Sequence, residues 1–277
     1  MAQRKHRSRL LPGAGLATRR TAAAALLLLT GLSPATLVAQ TAAAGADSAE
    51  VAVDPAAKAA LDRMGAYLRS VQAFEADVTS TREEVLESGL KVQSDWVTNL
   101  VVRKPDRLLA HVQSDSQDRW FFYNGKLFTL WANRADLYAT VDAPPTLGGL
   151  IQMLEEKLEI EVPLVDLFRW GTAEATTGEI TQAVDLGPAT IGGTTCHQYA
   201  FRQEGLDWQI WIQEGDFPLP RKLVLTTTSD DARPQFVATY SWNLAPSYND
   251  AGFTFDPPAD AHRITFATAA PAAGEKQ

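Results

Sequence analysis

The sequence has little of what covalent, metal or nucleotide chemistry uses. Of its 277 residues, one is cysteine and four are histidine. The lone Cys196 excludes an intramolecular disulfide, so the core alone must hold the fold. The sequence also lacks HExxH and HxxxH spacings, a P-loop, a dinucleotide fingerprint and a GxSxG elbow. These absences disfavour the enzyme classes that depend on those motifs.

The few reactive side chains form no catalytic pattern. Cys196 and His197 are adjacent on a predicted strand, where successive side chains point to opposite faces, so they cannot form a nucleophile–base pair. Asp166 stands among apolar residues, and we interpret it as the favourable acid in the first turn of a short helix. Carboxylates cluster in the adjacent pairs Glu83-Glu84, Glu155-Glu156 and Asp230-Asp231, which indicates solvated surface. The residues therefore predict no catalysis, no cofactor and no metal.

Basic residues are in deficit after the N-terminal segment. All 33 acidic residues follow residue 40, whereas only 19 of the 25 basic ones do, which leaves a net charge of −14. Such a surface repels nucleic acids and anionic membranes. We therefore expect no nucleic-acid partner.

The one long apolar run, "AAAALLLLTGL", lies near the N-terminus. It is flanked by small residues after it and by six basic residues before it: Arg4, Lys5, Arg7, Arg9, Arg19 and Arg20. A basic segment, a short apolar run and small residues are typical of a secretory signal peptide, predicted here over residues 1–39. The run is too short for a membrane span, so no transmembrane segment is expected after cleavage. Sec export is expected, with Arg19-Arg20 leaving the twin-arginine route open.

The pattern of apolar residues predicts the order of elements. Residues 40–53 form a flexible leader, and Asp54-Pro55 then opens a helix as N-cap and first residue. From Phe74 the apolar period changes to two, and about eleven strands follow, with Asn124-Gly125 as a hairpin turn. The tail, residues 267–277, is predicted to be disordered.

Two helices interrupt the strands in the middle of the chain. In "APPTLGGLIQMLEE", Thr146 is the expected N-cap, and Leu147, Leu150, Ile151 and Leu154 form one apolar stripe. A second helix is predicted after Glu161, because Leu164, Leu167 and Phe168 repeat the i, i+3, i+4 spacing. The predicted fold class is α+β, with one antiparallel sheet and the helices folded across its concave face.

Several segments in this order resemble a known family. They are "VVRKPDRLLAHV", "WFFYNGKLFTLW", "LYATVDAPPTL", "EIEVPLVDLFRWG", "IWIQEGDFPLPRKLVL" and "FTFDPPADAHRI". The chain resembles a family of predicted periplasmic proteins of unknown function in the superfamily of the lipoprotein carrier LolA and the mycobacterial lipid carriers LppX and LprG. The resemblance covers residues 54–266. It implies a domain over that range, a curved β half-barrel, a helical lid, an apolar cavity for acyl chains and a periplasmic location.

Candidate ligand-binding residues follow from strand and lid positions. On the strands they are Trp96, Leu100, Trp120, Phe122, Phe128, Tyr199, Phe201, Trp208, Ile210, Leu223, Leu225, Tyr240 and Trp242. On the lid they are Leu147, Leu150, Ile151, Leu154, Leu164, Leu167 and Phe168. Arg103, Lys104 and Arg107 form a possible rim for a lipid headgroup or an acidic partner. Each apolar residue taken singly also fits an ordinary core.

The hypothesis is a periplasmic binding or carrier protein for a hydrophobic ligand, a lipid or an acylated protein. One alternative is an interaction or sensor module that receives a peptide of an envelope protein in the same groove. A second alternative is an uncharacterised hydrolase. An enclosed apolar cavity would favour the carrier. An exposed apolar patch would favour the interaction module, and a nucleophile and a base close together would favour the hydrolase.

Overall fold

Twelve β-strands form one sheet in the computed structural model, which describes residues 53–175 and 179–266. The predicted signal peptide, the leader up to residue 52 and the predicted tail lie outside the described residues. The strands are β1 (Ala73–Val85), β2 (Lys91–Arg103), β3 (Arg107–Ser114), β4 (Asp118–Tyr123), β5 (Leu127–Ala132), β6 (Leu137–Asp142), β7 (Gln182–Ile191), β8 (Thr194–Gln203), β9 (Leu206–Gln213), β10 (Pro220–Thr227), β11 (Gln235–Asn243) and β12 (His262–Arg263). The helices are α1 (Pro55–Ser70), α2 (Leu147–Leu158) and α3 (Asp166–Arg169).

The sheet runs in the order β12-β6-β5-β4-β3-β2-β1-β11-β10-β9-β8-β7. Hairpin connections give antiparallel neighbours, and the pairing of β1 with β11 joins the two halves of the chain. The exceptions are β12, which pairs in parallel with β6, and Val53, which makes a parallel bridge to Ala183 on β7. The predicted fold class is confirmed as an open, curved and mainly antiparallel sheet, with twelve strands rather than about eleven.

Both long helices begin where the sequence predicts. The Asp54 side chain accepts a hydrogen bond from the Ala56 N–H at 2.8 Å, and Pro55 follows as the first helical residue. The Thr146 hydroxyl accepts from the Gly149 N–H at 3.2 Å and caps α2. These bonds satisfy donors that a helix N-terminus leaves without partners. Each helix then presents an apolar stripe to the sheet.

The helices cover one face of the sheet, called here the lid face. On neighbouring strands it carries Ala76, Leu100, Ala110, Phe121 and Leu130, which follow from the antiparallel register. These side chains form one hydrophobic cluster with the buried faces of α1 and α2. The core therefore lies between the helices and the lid face.

The opposite face, called here the strap face, has a smaller cluster over β2 to β6. Val101 and Leu109 are buried there under Phe253, which belongs to the C-terminal strap, residues 250–255. Trp120 and Phe122 pack in this cluster. Their prediction as lining of the lid-side cavity was therefore wrong, because Phe121 and Tyr123 take the lid face of β4.

The second mid-chain helix differs from its prediction, whereas the predicted hairpin turn at Asn124-Gly125 is confirmed. Leu164 has a positive φ of 56° and precedes α3, so the second mid-chain helix is a single turn that excludes it. The hairpin between β4 and β5 is present, but Gly125 has φ +85° whereas Asn124 is not left-handed. The Asn124 side chain instead accepts hydrogen bonds from the N–H groups of Lys126 and Leu127, at 3.1 and 2.9 Å.

Candidate ligand-binding groove beneath α3

A groove of about 670 Å³ lies between the C-terminal end of α1, α2 and α3. Its apolar lining comes from Phe74 on the sheet, Leu147 and Ile151 on α2, and Leu167 and Phe168 on α3. These residues come from three segments far apart in the chain. The groove therefore exists only where the lid helices meet the first strand of the sheet.

The rim of the groove carries charges of both signs. The cations are Arg69, Lys104 and Arg169, and the anions are Glu155, Glu156 and Glu174. Arg169 joins α3 to α2, because its Nη2 donates to both carboxylate oxygens of Glu155 at 2.8 and 2.5 Å. Both side chains are about one-third exposed, so water screens the pair. The ion pair thus joins α3 to α2 only weakly, and it is called here the latch.

Of the three predicted rim residues, only Lys104 lines the groove. Its Nζ donates to the carbonyl oxygens of Leu68 and Arg69 at 2.9 Å each and so satisfies the end of α1. Burial lowers the pKa of the Lys104 ammonium, and the nearby Arg69 charge lowers it further. Arg103 and Arg107 instead pair with Asp250 of the C-terminal strap.

A second pocket of about 170 Å³ lies on the other side of α3, over strands β8 to β10. Its apolar lining is Trp170, Leu206, Trp208, Leu223, Leu225 and Ala175. The Trp208 ring is fixed by a hydrogen bond from its Nε1 to Gln203 Oε1 at 3.2 Å. Arg169 and Glu174 border both this pocket and the groove. The turn of α3 and the residues after it therefore separate two neighbouring cavities.

Asp166 opens α3 and lines the second pocket. Asp166 is exposed to solvent, although enough protein atoms lie around its carboxyl to reduce its hydration. This loss of hydration raises the pKa of the Asp166 carboxyl, while the Arg169 guanidinium lowers it and Glu161 raises it. The charge of Asp166 also contributes to the raised pKa of Tyr240 on β11, after burial itself. The Asp166 carboxylate therefore lies near the lid face of the sheet.

The lid segment, residues 159–175, packs on the core through the buried Val162 and Leu167 and forms two ion pairs, Arg169–Glu155 and Arg82–Glu161. Two of its residues, Glu159 and Leu164, have a positive φ of 51° and 56°, a conformation that costs free energy for residues other than glycine. At its far end Gly171 meets Gly65 of α1 so closely that a Cβ on Gly65 would lie 2.8 Å from Gly171 Cα. The absence of side chains at both positions lets the two backbones pack directly.

The predicted ligand-binding residues fall into five groups. Leu147, Ile151, Leu167 and Phe168 line the groove, and Trp208, Leu223 and Leu225 line the second pocket. Eight are buried on the lid side without lining either cavity: Leu100, Phe128, Leu150, Leu154, Tyr199, Phe201, Ile210 and Tyr240. Trp96, Leu164 and Trp242 are half-buried, and Trp120 and Phe122 lie on the strap face. The eight buried residues are thus packed in the core, and the groove and the second pocket both lie around α3.

Several lining residues were not on the predicted list. Leu68, Phe74, Asp166, Leu206 and Arg169 border the cavities. The position of Asp166 within "VPLVDLF" is the one sequence signal that could have found a polar group at an apolar site. The other four carry no such signal, since their role depends on which segments converge.

The histidine and cysteine chemistry is located elsewhere. The His197 ring lies between carboxylates, with Nε2 2.5 Å from Asp185 Oδ1 and Nδ1 3.4 Å from Glu214 Oε1. Cys196 is buried on the other face of β8, and burial raises the pKa of its thiol. Within residues 53–175 and 179–266, no three His, Cys, Asp or Glu residues are placed to hold a metal ion. A third cavity of about 300 Å³ lies beside the C-terminal strap.

None of the helices in the described part of the chain is both long and apolar enough to cross a membrane.

Comparison with known proteins gives one family and several solved structures. The model of the family described as "Predicted periplasmic protein (DUF2092)" matches residues 57–267. No curated protein matches the chain. Lipoprotein LppX of Mycobacterium tuberculosis is 14% identical, with 71% of this chain and 100% of that chain covered and a TM-score of 0.45.

Two further solved structures are similar to the chain. An uncharacterised conserved protein of Thermus thermophilus is 9% identical over 76% of this chain and 99% of its own, with a TM-score of 0.45. A LolA superfamily protein of Nitrosomonas europaea is 11% identical over 72% of this chain and 97% of its own, with a TM-score of 0.33.

Proposed function

This chain belongs to the DUF2092 family of predicted periplasmic proteins, and we propose that it binds and carries a hydrophobic ligand in the groove beneath α3. The ligand is a lipid or the acyl chain of a lipoprotein. The observation that carries the proposal is the groove of about 670 Å³ with apolar side chains from the sheet, α2 and α3 on its walls. Its volume lies within the range of roughly 300–1,000 Å³ that is usual for ligand sites.

The mechanism of the proposed function is burial without bond making. Each methylene group that enters the groove gains about 0.8 kcal/mol by leaving water. An acyl chain lying along Phe74, Ile151 and Phe168 would contact apolar atoms on three sides. The charged rim stays in water and needs no compensation from the ligand.

Loading and release would use the lid segment. It is held to α2 through the exposed Arg169–Glu155 pair and to the core through Leu167. Displacing α3 would join the groove to the second pocket, because the same two residues border both. A short helix with few attachments can move at low cost, which suits a protein that must both hold and release its cargo.

The first experiment is native mass spectrometry of the mature protein, purified from its own periplasm without detergent, followed by solvent extraction and lipid analysis. The expected result is an acyl-containing species bound at about one per chain. A clean apo mass, with no uptake of added phospholipid or fluorescent fatty acid, would contradict the proposal. Binding of a peptide by such an apo protein would favour the alternative of an interaction module.

A matched pair of variants tests the location of the ligand. Phe168 lines the groove and is half-buried, whereas Phe217 is 50% exposed and contacts Tyr67 outside it. Phe168→Glu places a carboxylate against the acyl chain and should weaken binding of a fluorescent fatty acid by roughly tenfold or more. Phe217→Glu should leave the affinity unchanged. Equal effects of the two changes would place the ligand elsewhere.

A further inference from the structure

We propose that the ligand carries a positively charged amino group and that Asp166, with Trp170 and Trp208, binds this group in the second pocket behind α3. The ligand class is thus an amphiphilic amine, with its apolar chain in the groove and its ammonium head in the pocket. This inference rests on the proposed function and adds the chemistry of the headgroup. It is carried by the shape, the aromatic walls and the charge balance of the second pocket.

The size of the second pocket suits a headgroup better than an acyl chain. A cavity of about 150 Å³ takes up one benzene molecule, and this pocket measures about 170 Å³. A trimethylammonium or aminoethyl group is of that size, whereas a long chain is not. The chain of the ligand would pass from the second pocket into the neighbouring groove, which requires the turn that contains Arg169 to shift as in the proposed loading step.

The walls of the second pocket are of the kind that holds a cation. Two tryptophans, Trp170 and Trp208, line it together with Asp166. The faces of indole rings attract ammonium groups, more so where water is excluded, and a carboxylate adds direct charge pairing. The Trp208 ring is already oriented through its hydrogen bond to Gln203, so it loses little freedom when a ligand binds.

The charge balance at the second pocket favours a positive ligand. Within residues 53–175 and 179–266, no hydrogen bond or ion pair engages the Asp166 carboxylate. The nearby cation Arg169 is committed to Glu155 through both carboxylate oxygens. Glu161 and Glu174 add further negative charge around α3. A ligand ammonium in the second pocket would pair directly with the Asp166 carboxylate.

The ionisation of Asp166 is consistent with this arrangement. Burial raises the pKa of its carboxyl above the ordinary value, which means that the empty pocket disfavours the charge. A bound ammonium would remove that penalty and stabilise the ionised form.

The test compares three amphiphiles of one chain length on the full mature protein, each kept below its micelle concentration. They are dodecyltrimethylammonium, dodecanoate and dodecanol, measured by displacement of a fluorescent fatty acid. We expect the ammonium compound to bind about tenfold more tightly than dodecanoate. Asp166→Asn should abolish this preference and leave dodecanol affinity unchanged, and Trp170→Leu should reduce it.

The matched control is Asp231→Asn, which removes the same charge from an exposed loop between β10 and β11. This variant should keep the full preference for the ammonium compound. Equal affinity for the three amphiphiles, or a preference that Asp166→Asn does not change, would overturn the headgroup inference and leave the proposed function standing. Failure of dodecanol itself to bind would instead overturn the proposed function and the inference with it.

Discussion

Two segments cover opposite faces of the same sheet, and they are attached in different ways. The C-terminal strap is held by Phe253, which is 1% exposed, by the pairing of Asp250 with two arginines, and by the Arg103 guanidinium 5.2 Å from the centre of the Phe253 ring. The lid segment is held by the buried side chains of Val162 and Leu167 and by two ion pairs that water screens, Arg169–Glu155 and Arg82–Glu161.

The strap also packs an aromatic ring, that of Phe255, against three aromatic rings of the sheet. The Phe255 ring lies 5.2, 5.5 and 5.0 Å from the rings of Phe122, Trp131 and Tyr138. Such pairs stabilise beyond the area they bury. Cavities border both segments, because two lie beneath and beside α3 and a third of about 300 Å³ lies beside the strap. The strap therefore packs several aromatic rings against the sheet, whereas the lid segment is the part of the fold to which the proposed function assigns binding.

The largest expected loss of stability comes from a change in the strap. Phe253→Ala removes a fully buried ring from the strap-face cluster and should lower the free energy of unfolding by about 3–5 kcal/mol, measured by urea titration. Affinity for a fluorescent fatty acid should stay unchanged, since the groove is on the other face. Phe217→Ala, at a 50% exposed ring, is the control and should cost far less. A cost for Phe253→Ala below that of the control would show that the strap does not stabilise the sheet.

The matching change in the lid should cost less. Leu167→Ala truncates the one buried side chain of α3 and should lower the free energy of unfolding by about 2 kcal/mol, the low end for such a change. The reason is that α3 can detach while the sheet remains folded. Hydrogen exchange should accelerate in residues 159–175 and stay unchanged in the strap. Faster exchange throughout the sheet would mean that lid and core form one cooperative unit.

A third change separates lid motion from stability. Arg169→Gln removes the latch to Glu155 and should change the free energy of unfolding by less than about 1 kcal/mol, because the pair is exposed. The dissociation rate of a bound fluorescent fatty acid should nevertheless rise several-fold, as measured by stopped-flow competition. An unchanged rate would show that α3 does not control release.

The smallest expected effect concerns pH. The pKa of Asp166 is raised in the folded protein, so ionisation destabilises the fold: wild-type stability is lost as pH rises from about 3.9, the ordinary value, through the raised folded value. Asp166→Asn does not titrate and should raise the melting temperature of the apo protein at pH 7 by a degree or two. The gain should vanish at pH 3. A loss of stability at pH 7 would indicate that the carboxylate holds the lid segment in place.

The sequence predicts elements better than it predicts which face they cover. Alternation along "WFFY" in β4 shows that Trp120 and Phe122 share one side and Phe121 and Tyr123 the other. All four are aromatic, so the pattern cannot choose between the faces. The choice is made by the C-terminal strap, which lies more than a hundred residues later in the chain and covers the strap face.

The candidate site was harder to predict for a related reason. The caps of α1 and α2 are local, and Asp54 and Thr146 identified both helix starts. The groove is not local, because Phe74, Ile151 and Phe168 meet only after three distant segments have folded. Leu164 matched the helical spacing, yet its positive φ ends the pattern before α3 begins.

The two ends of the sheet have a consequence for the protein at high concentration. An open sheet presents unpaired backbone groups at its outer strands, which invite addition of a second chain and aggregation. Here the two residues of β12 occupy the outer side of β6, with the Ile264 N–H bonded to the Tyr138 carbonyl at 2.8 Å. At the other end Val53 bridges Ala183, and Pro188 and a bulge after Asp185 interrupt β7. Short caps thus let a sheet remain open for a lid without becoming a template for polymerisation.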